Sequence, residues 1–136
     1  MSSYLLDTNV LSELLRIRQE PTVVETLRAI DSRDLATSSI CVTELRFGAM
    51  RHPQGADLWR RISKEVLPLV RILPIAEPEA ERAGDLLADL AGRGLPIGIE
   101  DVLIAATAHV GGMTVVTRNL RHFERIESLR VESWWP

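Results

Sequence analysis

Three acids carry the chemistry open to this sequence. Asp7 closes the apolar run Tyr4-Leu5-Leu6, Glu44 lies among Val42, Leu45 and Phe47, and Asp101 stands just ahead of the apolar stretch that begins at Val102. Each has Ser, Thr or Gly close by in the sequence. Carboxylates gathered at one point repel, and at least one takes a proton unless a cation neutralises them. An all-oxygen set of donors suits Mg²⁺ or Mn²⁺, with water and a substrate phosphate completing an octahedron. The reaction that follows from such a set is attack of a metal-activated water on a phosphodiester.

Each acid also has a plainer reading. An Asp directly after a strand can cap the next helix, with Thr8 or Asn9 able to cap or orient a neighbouring carboxylate in its place. Glu44 can be a solvent-facing helical residue paired with Arg46 or Arg51, although a glutamate among core-forming neighbours such as Val42, Leu45 and Phe47 has to be solvated, paired or bound. Glu100 and Asp101 both fall at a helix start, where the dipole favours negative charge. Successive helical residues point about 100° apart, so at most one of the two is expected to face a shared site. Asp101 shares a face with Ile104, Ala105 and Ala108 and is the candidate.

The elements that must position these acids can be read from periodicity. Tyr4 to Leu6 reads as a buried strand, and Val10, Leu11, Leu14 and Leu15 follow at helical spacing, which puts Asp7 at the carboxyl end of a strand, where open α/β sheets keep their ligands. Glu20-Pro21-Thr22 opens a helix with Val23, Leu27 and Ile30 as its stripe. Leu35 to Ser38 predicts a second strand and Ser39 onward a helix stopped before Pro53. Trp59, Ile62, Val66 and Leu69 space a fourth helix, closed near Pro68. Val70 to Leu73 alternates as a third strand, and Ala80, Ala83, Leu87 and Leu90 draw the stripe of a long helix that ends at Gly92 or Gly94. After the loop Leu95 to Gly98 comes a helix whose segment Val102 to Ala108 has Thr107 as its single polar residue, so it is expected to be buried on most sides, and Gly111-Gly112 ends it. Thr114 to Thr117 is a fourth strand, Arg118 to Phe123 a loop or short helix, and Leu129 to Val131 a last strand. Strands alternating with helices imply an α/β fold with a largely parallel sheet flanked by helices on both faces.

Composition narrows the class. A chain of 136 residues, 46% apolar, is the size of one domain with a real core. No internal repeat or linker divides it, so one domain spanning 1–136 is expected. The formal charge of −3 argues against a dominant basic surface but allows a nucleic-acid enzyme whose metal supplies local positive charge. The basic residues are nearly all Arg, with Lys64 the only lysine; Arg is the better bidentate partner for phosphate. Cys41 is the only cysteine, so an internal disulfide and a Cys-based zinc site are both out of reach. The first strand begins close to Met1 and no apolar run approaches the roughly 20 residues that span a bilayer, so a soluble, cytoplasmic protein without a membrane role is expected. His52, His109 and His122 lack ligand-like spacing and read as surface or helix-end residues. Trp134 and Trp135 read as an apolar plug over the sheet edge.

The ordered set Leu6-Asp7-Thr8-Asn9, Ser39 with Thr43 to Gly48, Ile99 to Ala108, and Val116-Thr117-Arg118-Asn119 with Phe123 resembles the PIN-domain proteins over essentially the whole chain. The nearest likeness is to the VapC and FitB-like toxins of type II toxin–antitoxin pairs. The resemblance implies a five-stranded parallel sheet, a Mg²⁺- or Mn²⁺-dependent endoribonuclease acting on RNA, a homodimer, and inhibition by a cognate antitoxin. Carried over by motif, Asp7, Glu44 and Asp101 are the metal-binding acids. Many PIN domains have a fourth acid where this chain has Asn119, which joins the catalytic candidates as a neutral replacement; it also has a turn-forming reading. An acidic pocket flanked by Arg46 and Arg118 is expected to accept a cationic side chain of the antitoxin as well as a metal. Two other classes are open. A receiver-like signalling module would need a phosphate-contacting lysine after a late strand, and Lys64 lies in a predicted helix; a catalytically weak PIN scaffold would serve as an RNA- or protein-binding regulatory module.

Overall fold

The computed structural model describes residues 2–136. Its centre is the strand β1, Tyr4–Leu6. Four more strands join it: β2, Leu35–Ser38; β3, Arg71–Leu73; β4, Thr114–Val116; and β5, Val131–Glu132. They form one sheet in the order β3-β2-β1-β4-β5 with every pairing parallel. The chain steps outward from β1 to β3 and then returns to the other side of β1, so the order reverses between β1 and β4. A crevice opens at such a reversal, because the connections on its two sides leave to opposite faces.

Among the described residues seven helices fill the crossovers: α1, Thr8–Glu13; α2, Pro21–Ala29; α3, Ser39–Met50; α4, Gly55–Arg61; α5, Glu77–Gly92; α6, Ile99–Gly111; and α7, Leu120–Glu124. The two-residue period of the strands sorts the core into two layers. Leu5, Ala36 and Val115 point to one side and pack with Leu86, Leu90, Val102, Ile104 and Phe123 of α5, α6 and α7. Leu6, Leu35 and Val116 point to the other and pack with Val10, Val23, Leu27, Leu45 and Ile62. Among the described residues no helix is long and apolar enough to cross a membrane.

The expected elements appear with a few shifts that have physical causes. The helix expected through Leu69 is α-helical only to Arg61; a π turn at Ile62–Val66 and a 3-10 turn at Leu67–Leu69 follow, with the Leu67 N–H bonded to the Ile62 carbonyl. Pro68 accounts for this, since its ring collides with the carbonyl four residues back in a regular helix. On α5 the buried stripe is Ala83, Leu86 and Leu90, while Leu87 is 38% exposed and Ala80 is exposed. Leu86 and Leu87 differ by one helical step, and the docking angle of α5 on α6 chooses between them. The last strand starts at Val131 rather than Leu129, after Ser128 turns at a φ of 62°. Trp134 is a plug as expected, though it enters the second core layer edge-on to Tyr4 of the central strand, with ring centroids 5.8 Å apart. Gly112 ends α6 at a φ of 64°, a left-handed turn that a Cβ would strain, and the Met113 N–H returns to the Ala108 carbonyl.

One detail lets the sheet stop where the acid begins. The β1–β2 pairing runs only to Leu5 opposite Ala36. Beyond it, the buried Thr37 hydroxyl donates to the Leu6 carbonyl at 2.7 Å. Replacing Thr37 with Val keeps the shape and leaves that carbonyl short of its strong donor, which is expected to lower stability by about 1–3 kcal/mol. Denaturant unfolding of Thr37→Val checks it.

Candidate active site at the carboxyl end of the sheet

Asp7 leaves the end of β1 at the point where the strand order reverses. Its backbone N–H still bonds to Val116 of β4 at 2.9 Å, so the residue is held by the sheet while its side chain passes beyond it. Oδ1 accepts from the Thr8 N–H at 2.8 Å, and Oδ2 accepts from the Thr117 hydroxyl at 2.8 Å and from Asn9 Nδ2 at 3.4 Å. Asp7 therefore caps α1 and borders the cavity at once; the two readings of its position are compatible. Burial raises the Asp7 carboxyl above its ordinary 3.8, the bonds from Thr117 and Thr8 pull it back, and the charge of Asp101 adds to the rise.

Glu44 comes from α3, a helix opened by Ser38, whose hydroxyl accepts from the Ile40 N–H at 3.1 Å. This helix shows two stripes. Cys41, Leu45 and Ala49 face the core, and Ile40, Thr43, Glu44 and Phe47, at the same i, i+3, i+4 and i+7 spacing, line a cavity of about 990 Å³. Phe47, expected in the core, is 61% exposed on this second stripe. The Thr8 hydroxyl donates to Glu44 Oε1 at 2.8 Å. Desolvation raises the Glu44 carboxyl, the Thr8 bond opposes this, and the charges of Asp7, Asp101 and Glu100 raise it further.

Glu100 and Asp101 begin α6. Both line the cavity, against the expectation that one at most would do so. Asp101 lies toward the buried face, while exposed Glu100 bends back along the helix start, its Oε2 3.2 Å from where a Cβ on Gly98 would stand. A long side chain can thus reach a site its Cα does not face. Asn119 also lines the cavity. Its N–H donates to the Thr117 hydroxyl at 3.0 Å and its side chain makes no capping bond to α7.

The arginines are placed otherwise than expected. Arg46 lies 4.9 Å over the Trp59 ring, Arg51 is 5.3 Å over Phe47, and Arg118 is 5.4 Å over Trp135. Neither Arg46 nor Arg118 lines the cavity, and no ion pair to Asp7 or Glu44 exists among the described residues. Among the described residues Asp7 and Glu44 are left without an arginine or lysine partner, while Asp101 has His122 beside it.

Two residues that sequence reasoning passed over belong here. Thr117 is fully buried and joins Asp7, Asn9 and Asn119. His122, read as an ordinary surface histidine, lines the cavity and places Nδ1 2.9 Å from Asp101 Oδ2. The one available signal was its position three residues after Asn119. Cys41 also approaches: Asp7, Cys41 and Glu44 each bring a ligand atom within 4.8 Å of the others. Geometry and chemistry disagree on this trio. Burial pushes the thiol up to about 11, and Sγ lies 3.8 Å from the Leu6 carbonyl, so at neutral pH it is a protonated thiol and a poor ligand for a hard cation. The carboxylates of Asp7 and Glu44 are the oxygen donors of this trio that fit such a cation, and Asp101 lines the same cavity but stands outside that 4.8 Å group.

The chain matches the PIN domain family model over residues 4–129. It is 33% identical to Ribonuclease VapC2 of Haemophilus influenzae over 98% of this chain and 99% of that protein. Among solved structures, it is similar to FitAcB of Neisseria gonorrhoeae, with a TM-score of 0.89 and 35% identity over 97% of this chain and 98% of that one. A toxin–antitoxin complex from Klebsiella pneumoniae gives a TM-score of 0.74 and 27% identity over 98% of both chains.

The raised Asp7 carboxyl has a consequence for the metal-free protein. An acid whose pKa is higher folded than unfolded favours folding fully below its unfolded value of 3.8, and that advantage is lost as pH rises through the folded value. Asp7→Asn removes the dependence. At pH 7 the variant is expected to melt at or above the wild-type temperature, with the difference shrinking toward pH 4. Melting curves in chelator at both pH values test this; unfolding of Asp7→Asn at pH 7 would make Asp7 a structural residue.

Proposed function

Since this chain belongs to the PIN-domain family, we propose that it is a metal-dependent endoribonuclease toxin of a toxin–antitoxin pair, hydrolysing phosphodiester bonds of RNA. The observation that carries this reading is that Asp7, Glu44 and Asp101 line one cavity and, among the described residues, none of them is paired with an arginine or lysine. When bound there, Mg²⁺ or Mn²⁺ would supply a Lewis acid that offsets the phosphate charge and lowers the pKa of water.

The protein's own share of the work is placement. Thr117 and Asn9 hold Asp7 Oδ2, and Thr8 holds Glu44 Oε1, so each of these carboxylates is fixed in rotamer before a substrate arrives. The apolar wall of Ile40, Phe47 and Ile99 gives an unpaired base a surface to lie against. A phosphate entering between that wall and the acids would be drawn toward the cation rather than toward a basic patch. That is consistent with a net charge of −3 in a nuclease.

The relatives support the wider setting. One is named a ribonuclease and another was solved as a toxin–antitoxin complex; by that likeness this chain would bind a cognate antitoxin, and the resemblance to toxin-type PIN domains implies inhibition by that partner and a homodimer. Because Arg46 and Arg118 are engaged with tryptophans, the cavity offers a partner's Arg or Lys uncompensated carboxylates.

Glu44→Gln is expected to reduce metal-dependent RNA cleavage by at least about 100-fold, the scale for losing one electrostatic contact to a reacting group. In the wild type, Mn²⁺ should raise the melting temperature, with a stabilisation of about 2.7 kcal/mol at one hundred times its dissociation constant. Cleavage that persists in chelator, or a melting temperature indifferent to millimolar Mn²⁺, would end this reading.

Asn119→Asp tests the neutral position. It lines the cavity and its side chain makes no capping bond to α7, so the added carboxylate is expected to tighten Mn²⁺ binding and lower the metal concentration needed for cleavage. An unchanged requirement in the folded variant would remove Asn119 from the ligand set.

A further inference from the structure

His122 lines the cavity beside the acids, and among the described residues its side chain makes a single hydrogen bond, to an acid. Its Nδ1 is 2.9 Å from Asp101 Oδ2. An ionised carboxylate can only accept, so Nδ1 carries the hydrogen and donates it, whether or not the ring is charged. The two residues come from different helices and are 21 positions apart. Each is anchored by its neighbour: Phe123, next to His122, and Val102, next to Asp101, are both fully buried. The His122 N–H also returns to the Asn119 carbonyl at 3.3 Å. The packing of α7 and α6 therefore fixes the backbone positions from which the imidazole and the carboxylate meet.

We propose that His122 is a positioning residue of this site, which fixes the Asp101 carboxylate so that its other oxygen, Oδ1, is presented to a divalent cation. This rests on the cation-binding reading above. In the stretch after β4, His122 reaches an acid and Asn119 does not; Asn119 touches Thr117 through its backbone. Asp7 and Glu44 each have one oxygen held by a hydroxyl donor, and His122 does the same for Asp101. All three carboxylates then share one arrangement, a donor fixing the rotamer of an acid on the cavity wall. Hydrogen-bond partners of metal-binding groups typically contribute about 10–100-fold to metal affinity. The His122 side chain is 54% exposed, so its loss should cost the fold little.

The test is calorimetric titration of the full chain with Mn²⁺, beside melting temperatures in chelator, for wild type, His122→Ala and His122→Asn. Asn keeps an N–H donor near the position of Nδ1. The Ala variant is expected to bind Mn²⁺ about 10–100-fold more weakly, to melt at the wild-type temperature without metal, and to need more Mn²⁺ for cleavage while reaching a similar rate at saturation. His122→Asn should recover most of the affinity. If the wild type binds and His122→Ala binds equally well, the positioning role is wrong and the cation reading stands. If His122→Ala melts well below wild type in chelator and Asn does not restore affinity, His122 is structural and the proposal fails. If the wild type itself binds no Mn²⁺, the cation reading fails and takes this role with it.

Discussion

The structure depends on keeping one ionisable carboxylate where water scarcely reaches it. Asp7 is 6% exposed, and a bare carboxylate in such a place would be costly. Three donors reduce that cost, one from the next residue, one from Asn9 and one from Thr117 across the sheet. The last is decisive because it comes from the strand that the topology sets beside β1 at the reversal of strand order. Moving β4 elsewhere in the sheet would leave the acid with local donors alone.

The rest of the fold can be understood as support for that arrangement. Alternation along the strands sends Leu5 and Leu6 into different core layers, so β1 is gripped from both faces and cannot slide. A slip of one residue would exchange the layers and carry Asp7 into the wrong one. On one side α6 brings three alanines against its neighbours, and small residues let helix and sheet approach closely. Asp101 therefore lies at the cavity edge at the first turn of a helix that the core holds along its length. Thr37 and Cys41 take over the Leu6 carbonyl where the strand ladder ends, so the backbone can turn away from the sheet without stranding an acceptor.

Charge placement follows a complementary rule. Three arginines near the site lie over aromatic rings rather than beside the acids, which anchors their planar groups while leaving the cavity negative. Ligand oxygens of Asp7 and Glu44 lie within 4.8 Å, and two charges at that separation repel by roughly 3 kcal/mol at an effective dielectric of about 20, less here because water screens Glu44. That repulsion is comparable to a fair part of a domain's net stability. A cation bound between the two carboxylates would relieve that repulsion.

By itself the sequence determined the order of strands and helices, the acid at the end of the first strand and the buried character of the helix after Asp101. These follow from backbone periodicity and from Pro and Gly, whose effects reach only a few residues. It also determined the motif set that marks the family. The tertiary structure decided which of two neighbours is used: Leu86 over Leu87, Phe47 toward the cavity instead of the core, and both Glu100 and Asp101 on one wall. It also turned Arg46 and Arg118 onto tryptophans and brought His122 to Asp101. None of these is periodic. Each depends on the docking angle of one element on another or on the reach of a long side chain, and the bond between Thr117 and Asp7 spans 110 positions. A pairing at that separation is created by the order of strands in the sheet, which the local pattern of residues does not contain.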